Sequence, residues 1–280
     1  MAPLNETRCT DDPKHRIAKI FNALAETYDT LRFVQVCARR LVERAALFPG
    51  AQVLDVATGT GLAALAAAQY VGQTGMVLGV DLSYDMLERG RKKVAAAGLT
   101  QVEFLAGDAE RLNLRDRSFD VVLCASSLFF VPDILAALRE WQRVLKPGGQ
   151  VGFSGFGTTF RQPMLMLWEA RLKKYGVPPP KRSPVLRLAD PETCRRFLHE
   201  AGFVHIAVQS EQIGYYLQTL EECWEEAWAS LDRLTVLSLA PDQREQFKAE
   251  HLAEVEALAT EKGIWVDVPV NFAQGWKSST

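Results

Sequence analysis

Apolar side chains at Ile17, Ile20, Phe21 and Leu24, and again at Phe33, Val36, Cys37, Leu41 and Ala45, recur in steps of three and four. This spacing predicts a pair of amphipathic helices over 17–47, with ETYDTLRF as the joint between them. The preceding stretch MAPLNETRCTDDP has no such rhythm and reads as a frayed tail, with order beginning near Lys14.

After Pro49-Gly50 the pattern changes to short apolar runs alternating with helical stretches. AQVLDVA, MVLGVDL, VEFLAGD, FDVVLCASS and QVGFSGF read as strands; LAALAAAQYV, DMLERGRKKVAAAGL and DILAALREWQRVL read as the helices between them. The strands are almost continuously Val and Leu rather than alternating. That implies burial on both faces, and so a parallel sheet covered by helices. Lys146-Pro147-Gly148-Gly149 reads as a structural turn.

Residues 157–188 break the rhythm with MLMLWEARLKKYG and a proline-rich VPPPKRSPV, an interruption that suits a lid. The alternation resumes with DPETCRRFLHEAGF, where Asp190 caps a helix beginning on proline, and with the strand VHIAVQS. Residues 216–262 read as a helical insertion. From Glu211 to Lys262 there are twelve acidic and four basic side chains, the pattern of a solvated face. In IWVDVPVNF, Ile264, Val266, Val268, Val270 and Phe272 alternate strictly, predicting one strand with one buried face, bulged or unpaired on one side at Pro269. With neither repeat nor linker, the chain divides into an N-terminal tail and helical cap (1–48) and one larger domain (49–280).

Composition excludes several classes. At 280 residues, 48% hydrophobic and 24% charged, the chain can bury a large core and is not a disulfide miniprotein. Lys and Arg total 32 against 34 Asp and Glu, so no positive field points to nucleic acid, and none is expected as partner. The five cysteines are far apart, with no His at ligand spacing, so neither a metal nor a disulfide framework is expected. No signal-peptide pattern and no apolar stretch of membrane-spanning length occurs, which predicts a cytoplasmic protein.

The richest string is Val53-Leu54-Asp55-Val56-Ala57-Thr58-Gly59-Thr60-Gly61, a buried strand entering a glycine turn before a helix. Such a turn presents backbone N–H groups at a helix N-terminus, and glycine permits positive φ and close approach of a ligand. Gly59 to Ala64 even fits the dinucleotide pattern G-x-G-x-x-A, with Asp81 about twenty residues on, so a nicotinamide dehydrogenase stays open on the loop alone. The neighbouring carboxylates point elsewhere. Asp55 lies inside the strand, awkward for a pyrophosphate but useful near a cation. Asp81 ends the second strand, where its oxygens can accept both ribose hydroxyls, and Asp108 ends the third, where it can accept from an exocyclic amine. Three strand-end carboxylates suit a positively charged nucleoside with an amino acid tail.

Through VLDVATGTG, VLGVDLS, GDAERL, FDVVLCASSLFFVPD and RVLKPGGQV, in that order, the chain resembles the class I S-adenosylmethionine-dependent methyltransferases. The likeness is dense over 50–156 and loose over 190–210. It implies an α/β fold with a Rossmann-like seven-stranded, mostly parallel sheet whose last strand is antiparallel, with helices on both faces. It also implies S-adenosyl-L-methionine as cofactor, released as S-adenosyl-L-homocysteine. Asp55, Ala57, Thr58, Gly59 and Gly61 would then surround the methionine part. Asp81, Leu82 and Met86 would meet the ribose and adenine, Gly107, Asp108 and Ala109 the adenine, and Cys124, Ala125 and Ser126 would form the floor below the sulfonium. Phe21 to Asp29 (FNALAETYD) is similar to the N-terminal segment of the ubiquinone and menaquinone biosynthesis methyltransferases, in which a tyrosine closes over the cofactor, here Tyr28. The methionine-asparagine run, His and Trp that follow Tyr-Asp in those enzymes are absent, and GFSGFG replaces their glutamate after Lys-Pro-Gly-Gly.

Methyl transfer from a sulfonium is an in-line displacement that needs alignment and exclusion of water, and a base only where the acceptor carries a proton. His15, His199, His205 and His251 read as surface or structural, and no catalytic base is assigned. Phe129, Phe156, Trp168 and Tyr215 are the candidate substrate residues, with Phe130, Phe153, Tyr216, Trp224 and Trp228 in the same aromatic set; they point to a small apolar or aromatic acceptor methylated on O, N or C. Arg161, Arg171, Lys173, Lys174, Lys181 and Arg182 in the lid would favour an acidic acceptor or simply face water. A cofactor-binding regulatory protein without turnover is the alternative. Oligomeric state is not readable.

Overall fold

The computed structural model describes residues 12–178 and 183–279. Most of the expected tail, and Lys181 and Arg182 of the lid, lie outside the described residues. Helices α1 (Pro13–Leu24) and α2 (Arg32–Arg44) flank a 3-10 turn at Tyr28–Thr30, the predicted joint. Then follow β1 (Gln52–Val56), α3 (Leu62–Val71), β2 (Met76–Asp81), α4 (Tyr84–Ala97), β3 (Val102–Ala106), β4 (Phe119–Cys124), α5 (Ile134–Val144) and β5 (Leu145–Phe156). The remainder comprises α6 (Met164–Lys174), α7 (Pro191–Glu200), β6 (Val204–Gln212), β7 (Tyr215–Leu217), α8 (Leu220–Ala229), α9 (Asp232–Val236), α10 (Pro241–Glu256), β8 (Ile264–Val266) and β9 (Pro269–Trp276).

Local chemistry sets the helix ends. Ser83 accepts from the Met86 amide at the start of α4 and Asp133 from that of Ala136 at the start of α5. Asp190 accepts from the Glu192 and Thr193 amides, with Pro191 at the first position of α7, as the sequence predicts.

Seven strands form one sheet in the order β3-β2-β1-β4-β5-β9-β6. Neighbours from β3 to β5 run parallel, and β9 is antiparallel to both β5 and β6. The order reverses between β1 and β4, which opens a crevice beyond their carboxyl ends, where ligands of open α/β sheets bind. The fold class is the expected one.

Three details differ from the sequence reading. The alternating run 264–272 is two strands: β8 pairs with β7 in a separate two-stranded sheet, whereas β9 lies inside the main sheet. Val270, Asn271, Phe272 and Ala273 are all buried, so β9 has two covered faces, and Pro269 opens it where a missing amide is tolerated. The insertion expected to be helical from 216 begins in β7 and becomes helical at Leu220. Lys146 to Gly149 belong to β5 as an irregularity: Gly148 has φ 76°, and the register jumps from Phe119↔Leu145 to Val121↔Gln150.

Helices α6, α8, α9 and α10 build a second small core from Trp168, Leu172, Ala227, Val236, Leu239 and Phe247. Arg171 is not on a solvated face: it is 4% exposed and paired with Glu250 and with Glu254 at 2.6 Å. Its neighbour His251 is also buried rather than at the surface. Among the described residues no helix is long and apolar enough to cross a membrane.

Candidate active site

The strand β1 leads into a turn that leaves the ordinary backbone regions at Ala57 (φ 53°), Gly59 (φ 57°) and Gly61 (φ 80°). The two glycines serve different needs. A side chain at Gly59 would enter open space, with the Tyr28 ring as its nearest neighbour at 3.9 Å. At Gly61 a Cβ would lie 2.6 Å from the Phe104 ring, which also presses on Gly79 and Gly90. Gly61 therefore serves packing and does not line the cleft, contrary to expectation.

Asp55 is 1% exposed; the Thr58 hydroxyl donates to its Oδ2 at 2.6 Å, and Oδ1 is buried without a hydrogen-bond partner. Burial pushes its carboxyl up to about 7, against the opposing pull of the Thr58 hydroxyl and the Ala64 amide. Asp81 accepts the Gly59 amide on Oδ2 at 2.7 Å and the Ser83 amide on Oδ1 at 2.8 Å, which ties the glycine turn to the end of β2. Burial raises this carboxyl too, while the Ser83, Gly59 and Leu82 amides hold it down. Asp108 takes the Glu110 amide on Oδ1 at 3.0 Å and the Lys14 ammonium on Oδ2 at 2.7 Å, and Lys14 pairs with Glu110 as well.

Helix α1 is drawn over these carboxylates by a second contact: Asn22 Oδ1 accepts from the Ser83 hydroxyl at 2.6 Å and the Asp85 amide at 3.2 Å. The joint is fixed in turn, because Asp29 accepts from the Thr60 hydroxyl and pairs with Lys93 at 2.7 Å. Tyr28 is thereby set over the glycine turn, edge-on to Phe21 at 6.0 Å.

The resulting cleft spans about 970 Å³, its open mouth included. Of the residues expected around the cofactor, Tyr28, Asp55, Ala57, Thr58, Gly59, Asp81, Leu82, Met86, Gly107, Asp108, Ala109, Ala125 and Ser126 line it. Gly61 and Cys124 do not; Cys124 is fully buried beneath the floor. Sequence reasoning missed Lys14, Ile17 and Ala18 of α1, and Val34 and Ala38 of α2, which also line the cleft. Their helical periodicity was visible, but no local signal says which face meets a ligand.

A second chamber of about 1040 Å³, again with its mouth, adjoins the first. Phe21, Tyr28, Val34, Ser126 and Phe130 line both. Phe129, Phe156 and Trp168 line the chamber as expected, with Phe33 and Phe160 beside them; Phe156 and Phe160 stack at 4.0 Å. Tyr215 does not reach it. Its hydroxyl donates to Glu226 at 2.8 Å, and its ring lies under the Arg32 guanidinium. Phe153 is fully buried in the core, Tyr216 packs on Trp265, and Trp224 stacks on Trp228 away from the chamber. No histidine lines either cavity, and no group of His, Cys, Asp and Glu able to hold a metal occurs among the described residues.

The model of the ubiE/COQ5 methyltransferase family matches residues 9–175, more than half of the chain and all three carboxylate sites. The chain belongs to this family. It is a methyltransferase that uses S-adenosylmethionine. This methyltransferase is 31% identical over 215 residues to the demethylmenaquinone methyltransferase of Staphylococcus aureus, covering 70% of the chain and 88% of that protein. Among solved structures it resembles an S-adenosylmethionine-dependent methyltransferase from Aquifex aeolicus, with TM-score 0.53, 22% identity and coverage of 69% of this chain and 91% of that one. A phosphoethanolamine N-methyltransferase of Haemonchus contortus in complex with S-adenosyl-L-methionine aligns with TM-score 0.61 and 17% identity, over 97% of this chain and 61% of that one. Both structural likenesses show the fold.

Proposed function

We propose that this methyltransferase acts on an O, N or C atom of a small apolar or aromatic metabolite. The observation that carries this reading is the aromatic chamber that opens on the cleft at Tyr28, Ser126 and Phe130. A donor and an acceptor in the two cavities would meet there.

In this reading the residues of the cleft hold the cofactor, and their chemistry fits it. The buried Asp55 carboxylate, which lines the cleft, suits a cationic ammonium or sulfonium. Asp81 retains free lone pairs for two ribose hydroxyls, and the open space at Gly59 admits the ligand next to the backbone. Asp108 has an adenine amine to accept beside Lys14. When bound, the cofactor supplies an electrophilic methyl group.

The chain's own residues then contribute position and dryness. Tyr28 and Phe130 cover the junction, while Phe33, Phe129 and Phe156 hold an apolar ring by contact and exclude water. No histidine lines either cavity, and no catalytic base is assigned. Residues 12–48 act as a cap over the cofactor, and the described parts of the lid, 157–178 and 183–188, with the insertion 216–262 supply the far wall of the chamber.

The test is incubation with S-adenosylmethionine and a panel of small aromatic acceptors, following S-adenosylhomocysteine. Turnover that falls at least about tenfold on Phe156→Ala, with cofactor affinity unchanged, is expected from lost contact at the chamber wall. Cofactor binding without turnover of any aromatic acceptor, together with turnover of hydrophilic ones, would refute it.

A further inference from the structure

Arg161 stands in the left-handed backbone region (φ 58°), held there by its amide donating to the Asp267 carbonyl at 2.7 Å. This conformation is costly for a side-chain-bearing residue and persists where the surroundings impose it. Its guanidinium lies on the wall of the aromatic chamber, 2.7 Å from Asp232, with the two side chains only 13% and 12% exposed. The contact is a close ion pair through Asp232 Oδ2, and neither Asp232 Oδ1 nor the remaining guanidinium N–H groups take part in another described hydrogen bond. Both partners therefore retain hydrogen-bonding capacity. Glu169 shares the wall, and Glu226, already bonded to the Tyr215 hydroxyl, lies behind Arg161.

This charge balance selects among ligands. A carboxylate is opposed by Asp232 and Glu169, and a cation, though drawn to those carboxylates, is opposed by Arg161 paired with one of them. A neutral group that offers both an acceptor and a donor satisfies the pair. We propose that Arg161 and Asp232 read the far edge of the methyl acceptor, selecting a neutral aromatic or polycyclic compound that presents a carbonyl-type oxygen beside an O–H or N–H. This rests on the aromatic-acceptor reading and sharpens it.

Three probes of similar size separate the two ideas, measured by calorimetry with S-adenosylhomocysteine present. They are 2-quinolone, whose lactam edge carries C=O beside N–H, unsubstituted naphthalene, and the anion 2-naphthoate. The lactam should bind wild type at least about tenfold more tightly than naphthalene, as one hydrogen bond to a charged group allows, and 2-naphthoate no more tightly than naphthalene. In the double variant Arg161→Met/Asp232→Leu, which removes both members of the pair, the lactam advantage should vanish while naphthalene binding persists. Equal binding of lactam and naphthalene to wild type overturns this inference and leaves the aromatic chamber standing. So does tightest binding of the naphthoate, or a lactam advantage that survives in the double variant. Failure of all three to bind wild type overturns the aromatic reading and this inference with it. The wild-type ranking decides even where the double variant does not fold.

Discussion

The Ser126 amide donates to the Ser154 hydroxyl at 2.9 Å, and this bond holds a residue with φ 53° at the junction of the cofactor cleft and the acceptor chamber. Ser154 belongs to β5 and is fully buried, and the Cys37 thiol of α2 donates to the same oxygen at 3.4 Å. Three elements thus converge on one strained backbone position, where the acceptor atom has to be aligned with the methyl group.

Replacement of Ser126 by glycine removes the left-handed penalty and should raise unfolding stability by about 0.5–1 kcal/mol, after allowance for the greater freedom of glycine in the unfolded chain. The same change loosens the junction, so kcat should fall about tenfold. Urea denaturation and S-adenosylhomocysteine release measure the two effects. A stabilised glycine variant with undiminished kcat would disconnect the strain from the reaction.

Asp55 couples cofactor binding to protons. Its folded-state carboxyl, pushed up to about 7 by burial, is partly protonated near neutrality, and a cationic ligand favours the charged form. Binding should therefore release up to about one proton near pH 6, and affinity should climb as pH rises toward 7 and then level off. Calorimetry in buffers of different ionisation enthalpy reads the proton directly. Asp55→Asn should abolish the release; an unchanged release in that variant assigns the proton elsewhere.

Much of this site is legible in the sequence because its signals are local. The strand-turn-helix at Asp55 to Gly61, and carboxylates at the ends of three strands, need only neighbours a few residues away. Lys14 was invisible because it reaches Asp108 across 94 residues of chain, from a helix whose polar face looks like any other. Tyr215 misled because it follows β6 directly, but the chain turns there to pair with β8 and hands the hydroxyl to Glu226. The alternation from Ile264 to Phe272 runs unbroken through a change of sheet because Val268, at the corner, is itself buried. Period alone reports burial, and which partner supplies it depends on the topology.

Loss of the Asp81 carboxylate should be severe for the cofactor, and it also frees the two amides that tie the glycine turn to β2. Asp81→Ala removes the acceptor of the Gly59 and Ser83 amides at the cleft and, in the proposed assignment, of both ribose hydroxyls. With each hydrogen bond to a charged group worth about 1.5–3 kcal/mol, affinity for S-adenosylhomocysteine should drop by about a hundredfold or more. Wild-type affinity in calorimetry would remove the ribose from Asp81.

His251 gives the helical insertion an acid sensitivity. Burial first, then the nearby Arg171, pulls its imidazole down to about 4, and Arg161 adds to this while Asp232 and Glu254 oppose it. Trp168 and Phe247 pack against the ring, and Nδ1 has no hydrogen-bond partner. Because the folded value lies below the unfolded one, near 6.5, the unfolded chain binds more protons between them. The contribution is complete above pH 6.5 and is lost as pH falls toward 4, amounting to about 3 kcal/mol across that window. His251→Gln removes this slope while other groups titrate as before. Denaturation midpoints at several pH values should therefore show wild type losing more stability than the variant as pH drops from 7 to 4.5, and parallel profiles would mean the buried imidazole takes up its proton over the same pH range as in the unfolded chain.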